Sequence, residues 1–226
     1  MNHEQWQAIF LSLQVATAST VLSLPFAIGV ALLLSRCGGL LRVGIETVVN
    51  LPLVLPPVIT GYLLLVTFGR NGLVGKTLYQ LMGLEFVFDF KGAVLAAAIV
   101  AFPLMVRAVR LAFESVDLRL VQAASTLGAG PWKCFCSIVL PLSRRGLVAG
   151  CLLAFARSLG EFGATIMVAG NIAGQTKTIP LFVYDQLQTP GGIGNCLPVI
   201  IFSILIAVIA LLISGRLEYD SAEHAK

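Results

Sequence analysis

Charge is scarce in this chain: Asp, Glu, Lys and Arg together make up 12% of its 226 residues, while 58% are apolar. Soluble domains carry about 25% charged residues, so a free-standing soluble fold is excluded and an integral membrane protein is implied. Other absences narrow the function. No G-x4-G-K-S/T run occurs, so the chain lacks the usual cradle for ATP phosphates. The two histidines, His3 and His224, sit near the ends with nothing beside them for a metal site or an acid–base pair. Cys37, Cys134, Cys136, Cys151 and Cys196 show no metal-ligand spacing and read as reduced packing residues. Ser, His and Asp are not grouped in any triad-like order. No linker, repeat or low-complexity tract divides the chain, and every polar stretch is short beside a soluble domain of roughly 50 residues. A single membrane domain, 1–226, is expected. No basic region precedes the first apolar run and no A-x-A site follows it, so that run is expected to be a retained span rather than a cleaved signal.

What is present is a set of long apolar runs. Trp6 to Ser35, Thr47 to Gly69 and Ile193 to Gly215 are uncharged, and each reaches the roughly 20 residues needed to cross the hydrocarbon core. Gly92 to Phe113 makes a fourth span, with Arg107 and Arg110 near one end where they can snorkel. Gly146 to Gly170 makes a fifth, although it carries Arg157 and Glu161. The expected fold is therefore all-α, a polytopic bundle of about five transmembrane helices with its two ends on opposite faces.

Two places inside those spans are unusual. Pro52, Pro56 and Pro57 fall within six residues of one span, which removes backbone donors and forces an irregular segment. Such backbone survives in lipid only when buried in protein or lining water, so this span is expected to border a conduction path. Pro25 and Pro103 are single kinks that serve either packing or a hinge. The second place is Ala156-Arg157-Ser158-Leu159-Gly160-Glu161-Phe162-Gly163. Arg157 and Glu161 are four apart and would share a helix face, where each lowers the cost of the other's charge at depth. The pair either serves a path or gate or fixes helix register. Gly160 and Gly163 permit close helix approach or a local break. A carboxylate repels anions, so Glu161 is not expected to bind one directly.

Residues 122–141, QAASTLGAGPWKCFCSIVLP, fit the pattern E-A-A-x3-G-x9-I-x-L-P at every fixed position but the first. Small alanines can lie flat in a cleft, Gly128 allows a left-handed reversal, and Pro131 suits the first turn of a second short helix. Leu140-Pro141 is expected to mark the next bend. This spacing resembles the cytoplasmic loop by which permeases of bacterial ABC importers engage their ATPase. The resemblance implies ATPase coupling through Gln122, Ala123, Ala124, Gly128, Ile138, Leu140 and Pro141 within a loop 117–141; Gln122 stands where the pattern has Glu. With that loop inside, ten Lys and Arg residues fall in cytoplasmic segments and four (Arg70, Lys76, Lys91 and Lys177) in outer ones, as the positive-inside rule requires. The N-terminus is then outside and the EYDSAEHAK tail inside.

A closer likeness covers about residues 8–215. The runs LPLVLPPVITGYLLLVTFGRNG (51–72), GAVLAAAIVAFPLMVRAVRLAFESVD (92–117), FARSLGEFGATIMVAGNIAGQTKTIP (155–180) and QTPGG (188–192) resemble the molybdate ABC-importer permeases. That resemblance implies the type I importer permease fold and alternating access in the inner membrane. It also implies a second copy of this chain, two copies of an ATPase using ATP and Mg, and a periplasmic molybdate-binding protein. The chain itself is expected to hold no cofactor or metal, to perform no catalysis and to bind no nucleic acid. Sulfate and thiosulfate permeases share an LGEFG-like stretch, and tungstate is chemically close to molybdate. Two other classes stay open on the residues alone. One is a membrane scaffold that binds a partner through its loop. The other is a transporter driven by an ion gradient, with Glu161 as proton carrier. The broken span and the deep charges favour a path over a scaffold.

Overall fold

The computed structural model describes residues 2–223, and every regular element among them is helical. Met1 and His224–Lys226, including the expected end of the inner tail, lie outside the described residues. The chain opens with α1 (His3–Arg36), whose start is tied down by Gln5: its Oε1 accepts from Asn2 N at 2.7 Å and its Nε2 donates to the Asn195 carbonyl at 2.9 Å. Then come α2 (Gly39–Val54), α3 (Pro57–Phe68), α4 (Leu73–Met82) and α5 (Phe90–Glu114). After α6 (Leu118–Thr126), the short α7 (Pro131–Cys134) passes through a π-helical turn, Phe135–Val139, into α8 (Leu140–Leu159). The chain finishes with α9 (Gly163–Ala169), α10 (Ile179–Leu187) and α11 (Ile193–Glu223).

Four of these helical stretches are long and apolar enough to cross a membrane: α1, α5, Pro131–Leu159 and the Ile193–Leu217 part of α11. The α2–α3 pair makes a fifth if counted as one span, bent by 113° between its halves. The spans thus number four or five, in line with the expected count of about five. The irregular segment expected within Thr47 to Gly69 is a complete break: Pro56 and Pro57 stop α2 and start α3, because neither ring supplies a backbone donor. Pro52, by contrast, sits inside α2. The span expected at Gly146 to Gly170 instead runs from Pro131 to Leu159, stops at Gly160, and is followed by the separate α9. Leu140-Pro141 does not bend the chain out of the helix. The wide turn lets Leu140 N donate to the Phe135 carbonyl, and Pro141 falls at the start of α8, so its missing N–H is absorbed by the π segment.

Without a hydrophobic drive between helices in lipid, close packing of small residues holds a bundle together. Here α5 supplies Ala93, Ala96, Ala97, Ala98 and Ala101, all buried. On α8, Gly146 and Gly150 lie against Ala112 and Ala108 of α5, where an added Cβ would stand 2.6 and 2.7 Å from the alanine methyls. The core formed by α1, α5 and α8 contains Ala27, Ala31, Leu34, Met105, Val109, Leu147 and Ala154. The last long helix closes on α8 through Ser214 Oγ, which donates to the Ala149 carbonyl at 3.1 Å.

The bent pair meets the broken one at α3 and α9. A Cβ on Gly61 would fall 2.8 Å from Ala164 Cα, against backbone that cannot step aside, whereas Gly29 on α1 has open space around it. Gly61→Val is therefore expected to lower stability by about 1–3 kcal/mol through overpacking, and Gly29→Val to leave it unchanged. Thermal unfolding of the two variants in detergent checks this.

Candidate functional site

The break after α8 brings the two deep charges together in a way a continuous helix would not. Glu161 lies beyond the helix end, yet its Oε2 meets Arg157 Nη1 at 2.9 Å. Its Oε1 accepts from Ala164 N at 3.0 Å, filling one of the donors exposed at the start of α9. Both carboxylate oxygens are thus engaged. The Glu161 side chain is 2% exposed and the Arg157 side chain 33%, so the pair turns its carboxylate into protein and its cation outward. The expectation that both residues lie on one face of a helix is corrected in this respect only: the pairing is present, made across a helix end. Gly163 then packs on Pro57, where an added Cβ would sit 2.9 Å from the proline Cβ. Pro56, Pro57, Gly160, Glu161 and Gly163 are therefore neighbours through one short chain of contacts, while Pro52 lies a turn away within α2.

At the C-terminal end of α5 two local ion pairs stand close together. Arg42 and Glu46 pair at 3.1 Å, and Arg110 and Glu114 at 2.8 Å, each at i,i+4 spacing. In space Arg110 also bonds Glu46, and Arg107 Nε donates to Asn50 Oδ1 at 3.1 Å. These cross-links hold α2, which buries none of its own residues, against α5. In the sequence Arg107 and Arg110 read only as snorkelling cations; the i,i+4 spacing was an unused signal, and the bridge between the pairs needed the fold.

The segment 117–141 forms a compact elbow. Asp117 Oδ1 accepts from Arg119 N at 2.8 Å and starts α6 at Leu118, so the alanines lie in the second half of that helix. Gly128 has φ +85°, the left-handed conformation expected of it. Gly128 N donates to the Ser125 carbonyl and Ala129 N to the Ala124 carbonyl, both at 3.0 Å, so α6 ends in a Schellman turn. The buried Cys134 ties the second arm back, its thiol reaching the Ala129 carbonyl at 3.5 Å. Phe135 packs edge-on against Phe113 of α5 at 5.6 Å and beside Trp132 at 5.7 Å. Gln122 and Ala123 are exposed, Ala124 and Ile138 half-buried, and Leu140 and Pro141 lie at the start of α8. Leu118, Leu127 and Trp132 project from the elbow, with Leu127 88% exposed. Sequence reading missed these three large apolar side chains, although their placement in a polar loop was visible.

At the opposite end, a cavity of about 550 Å³ opens between the end of α3, α4 and Leu84–Phe88. Arg70 stands at its edge, 3.5 Å from Glu85 and over the Tyr79 ring at 4.8 Å.

This architecture of broken and continuous membrane helices beside a compact elbow belongs to a known class. Residues 19–219 match the family of binding-protein-dependent transport system inner membrane components, and the chain belongs to that family. It is 53% identical over 225 residues to the molybdenum transport system permease protein ModB of Escherichia coli, covering 100% of this chain and 98% of that protein. It is 56% identical over 211 residues to ModB of Haemophilus influenzae, covering 93% and 92%. In shape it is similar to a chain of the inward-facing MetNI methionine ABC transporter, with TM-score 0.69, 18% identity, and coverage of 98% and 99%. A bacterial alginate ABC transporter in complex with its pentasaccharide-bound periplasmic protein gives TM-score 0.69 at 20% identity, covering 100% and 81%. The chain is thus a multi-pass membrane subunit with the type I ABC importer permease fold.

Removing one partner of a buried ion pair strands the other charge at a cost of about 3–5 kcal/mol, while removing both is far milder. Arg157→Ala alone is therefore expected to reduce the yield of assembled, folded protein more than the double change Arg157→Ala, Glu161→Ala. Size-exclusion recovery in detergent compares them, and equal losses would argue against mutual pairing.

Proposed function

We propose that this chain is the permease subunit of an ATP-driven importer that carries molybdate across the inner membrane by alternating access. The observation that supports this most is identity of 53% to a molybdenum permease along essentially the whole chain, loops included. On this reading two copies of the chain form the path, a periplasmic molybdate-binding protein delivers the anion, and a separate ATPase using ATP and Mg supplies energy. The elbow 117–141 receives the ATPase. Its exposed Trp132 is an anchor of the kind that dominates protein interfaces, the exposed Leu118 and Leu127 add apolar area beside it, and the Schellman turn at Gly128 fixes the angle between the two arms. The excess of Lys and Arg on the elbow side favours that side as cytoplasmic, with the N-terminus outside and the C-terminus inside. Closure of the ATPase on ATP draws the two elbows together and turns the bundles outward; hydrolysis reverses the swing.

The proposed path runs past the break where Pro56, Pro57, Gly160 and Gly163 gather, beside Pro52, Arg157 and Glu161. Irregular backbone at this depth fits a water-lined wall. No step needs tight binding inside the membrane, since selection is made by the binding protein and a deep energy well would slow release.

Uptake of labelled molybdate by proteoliposomes holding the full complex is expected to require ATP on the ATPase side and to be competed strongly by tungstate and weakly by sulfate. Uptake that follows an ion gradient without ATP would overturn the reading, and stronger competition by sulfate would reassign the substrate. Gly128→Pro cannot adopt a φ of +85°, and Ala124→Glu adds bulk and charge to the elbow. Both are expected to insert normally yet abolish molybdate uptake while ATP hydrolysis becomes independent of the binding protein; normal uptake by either would remove the coupling role from the elbow.

A further inference from the structure

We infer that Arg157 is the group that contacts the transported oxyanion midway across the membrane, and that Glu161 is a positioning residue that half-neutralises this cation so the anion passes instead of lodging. The inference rests on the transport reading above and adds a specific contact to it.

The depth comes from α1. This helix has 34 residues, a length of about 51 Å at about 1.5 Å per residue, and Ser19 lies at its centre. Ser19 Oγ donates to Ser158 Oγ at 3.2 Å, so Ser158, and Arg157 beside it, sit near the middle of the bundle. A guanidinium facing hydrocarbon at that level is costly. Its exposed third therefore looks into a protein-walled, wet space, and the proline-broken backbone next to Gly163 is the wall that such a space permits.

The chemistry follows from which atoms are already engaged. Glu161 spends one oxygen on Arg157 Nη1 and the other on Ala164 N, so both oxygens are engaged within the protein and its charge acts on a passing anion from behind the guanidinium's free donors. Arg157 carries five N–H donors in a planar fork and meets the carboxylate through Nη1. The remaining donors fit two oxygens of a tetrahedral dianion, the match that makes guanidinium the usual partner of such groups. An unopposed cation in a low-dielectric path would hold a dianion firmly. The buried carboxylate 2.9 Å away offsets that attraction while keeping the fork in place.

The test uses the complete complex with its ATPase and binding protein, reconstituted in proteoliposomes, with molybdate as probe. Glu161→Gln keeps an oxygen for Ala164 N but removes the negative charge. It is expected to slow maximal uptake, and to raise molybdate retained by the complex stripped of binding protein by about tenfold, equivalent to about 1.4 kcal/mol. The double variant Arg157→Gln, Glu161→Gln leaves no charge unpaired and is expected to co-purify with the ATPase, to retain no molybdate, and to lose most uptake. If the pair served only to fix helix register, the single variant would lose assembled protein and uptake together, and retention per assembled complex would not rise. Parent-like retention by assembled Glu161→Gln complex would therefore overturn the inference while leaving the transport reading intact. Absence of molybdate uptake by the parent complex would sink the transport reading and this contact with it.

Discussion

In hydrocarbon no water is available to satisfy a bare N–H or C=O, and each one left open costs several kcal/mol. A membrane chain can break its helices only where something else answers those groups, and at both breaks here local partners are in place. At the first, Pro56 and Pro57 bring no donors of their own, Leu55 N still reaches the Leu51 carbonyl at 3.0 Å, and Ile59 N and Thr60 N both return to the Pro56 carbonyl. At the second, Glu161 N donates to the Ser158 carbonyl at 3.2 Å, and the Glu161 side chain answers Ala164 N. The breaks then cover one another, since α3 and α9 touch at Gly61, Ala164, Gly163 and Pro57.

Close approach is what makes this mutual cover possible. Gly61 against Ala164, and Gly146 and Gly150 against the alanines of α5, remove the side-chain layer that would otherwise keep helices apart. Dispersion contacts and backbone proximity then do what the hydrophobic effect does in water. The helices with few such residues tell the converse story. No residue of α2 is buried, and a polar network of Arg42, Glu46, Asn50, Arg107 and Arg110 attaches it to α5 instead.

The spans and the elbow were largely legible in the sequence, because both depend on local rules. Length and apolarity found α1, α5 and α11 to within a few residues at most ends, and the glycine after an alanine-rich turn foretold the left-handed Gly128. The prolines foretold an interruption, though a 113° bend between two separate helices exceeds what one proline cluster specifies, since the angle is set by α9 packing on α3. The fifth span was misplaced for a different reason. Arg144 and Arg145 interrupt the apolar run and hid the helix between Pro131 and Gly146, while the apolar Ile166, Met167 and Val168 of the separate α9 looked like its continuation. Hydropathy alone cannot tell a helix that continues from one that stops and restarts with equally greasy residues.

The placement of the deep charges has a physical logic that i,i+4 spacing on one helix would lack. The last turn of α8 exposes carbonyls and favours a cation, and Arg157 lies there. The first turn of α9 exposes N–H groups and favours an anion, and Glu161 stands before it. A break therefore creates one site for each sign, three to four residues apart, and a salt bridge between them closes the gap. On the proposed reading this joint is also where motion arrives. The Pro131–Leu159 stretch is 29 residues long, about 43 Å at about 1.5 Å per residue, and it begins in the elbow. Its one wide turn is held by Phe135 between Trp132 and Phe113, so a displacement at the elbow is carried along a stiff rod. Arg157 lies in the last turn of that rod. A cation fixed to the far tip of the driven helix, and an opposing carboxylate fixed to the next one, form a contact whose strength changes as the two helices swing, which couples the position of the elbow to the hold on an anion without any further part.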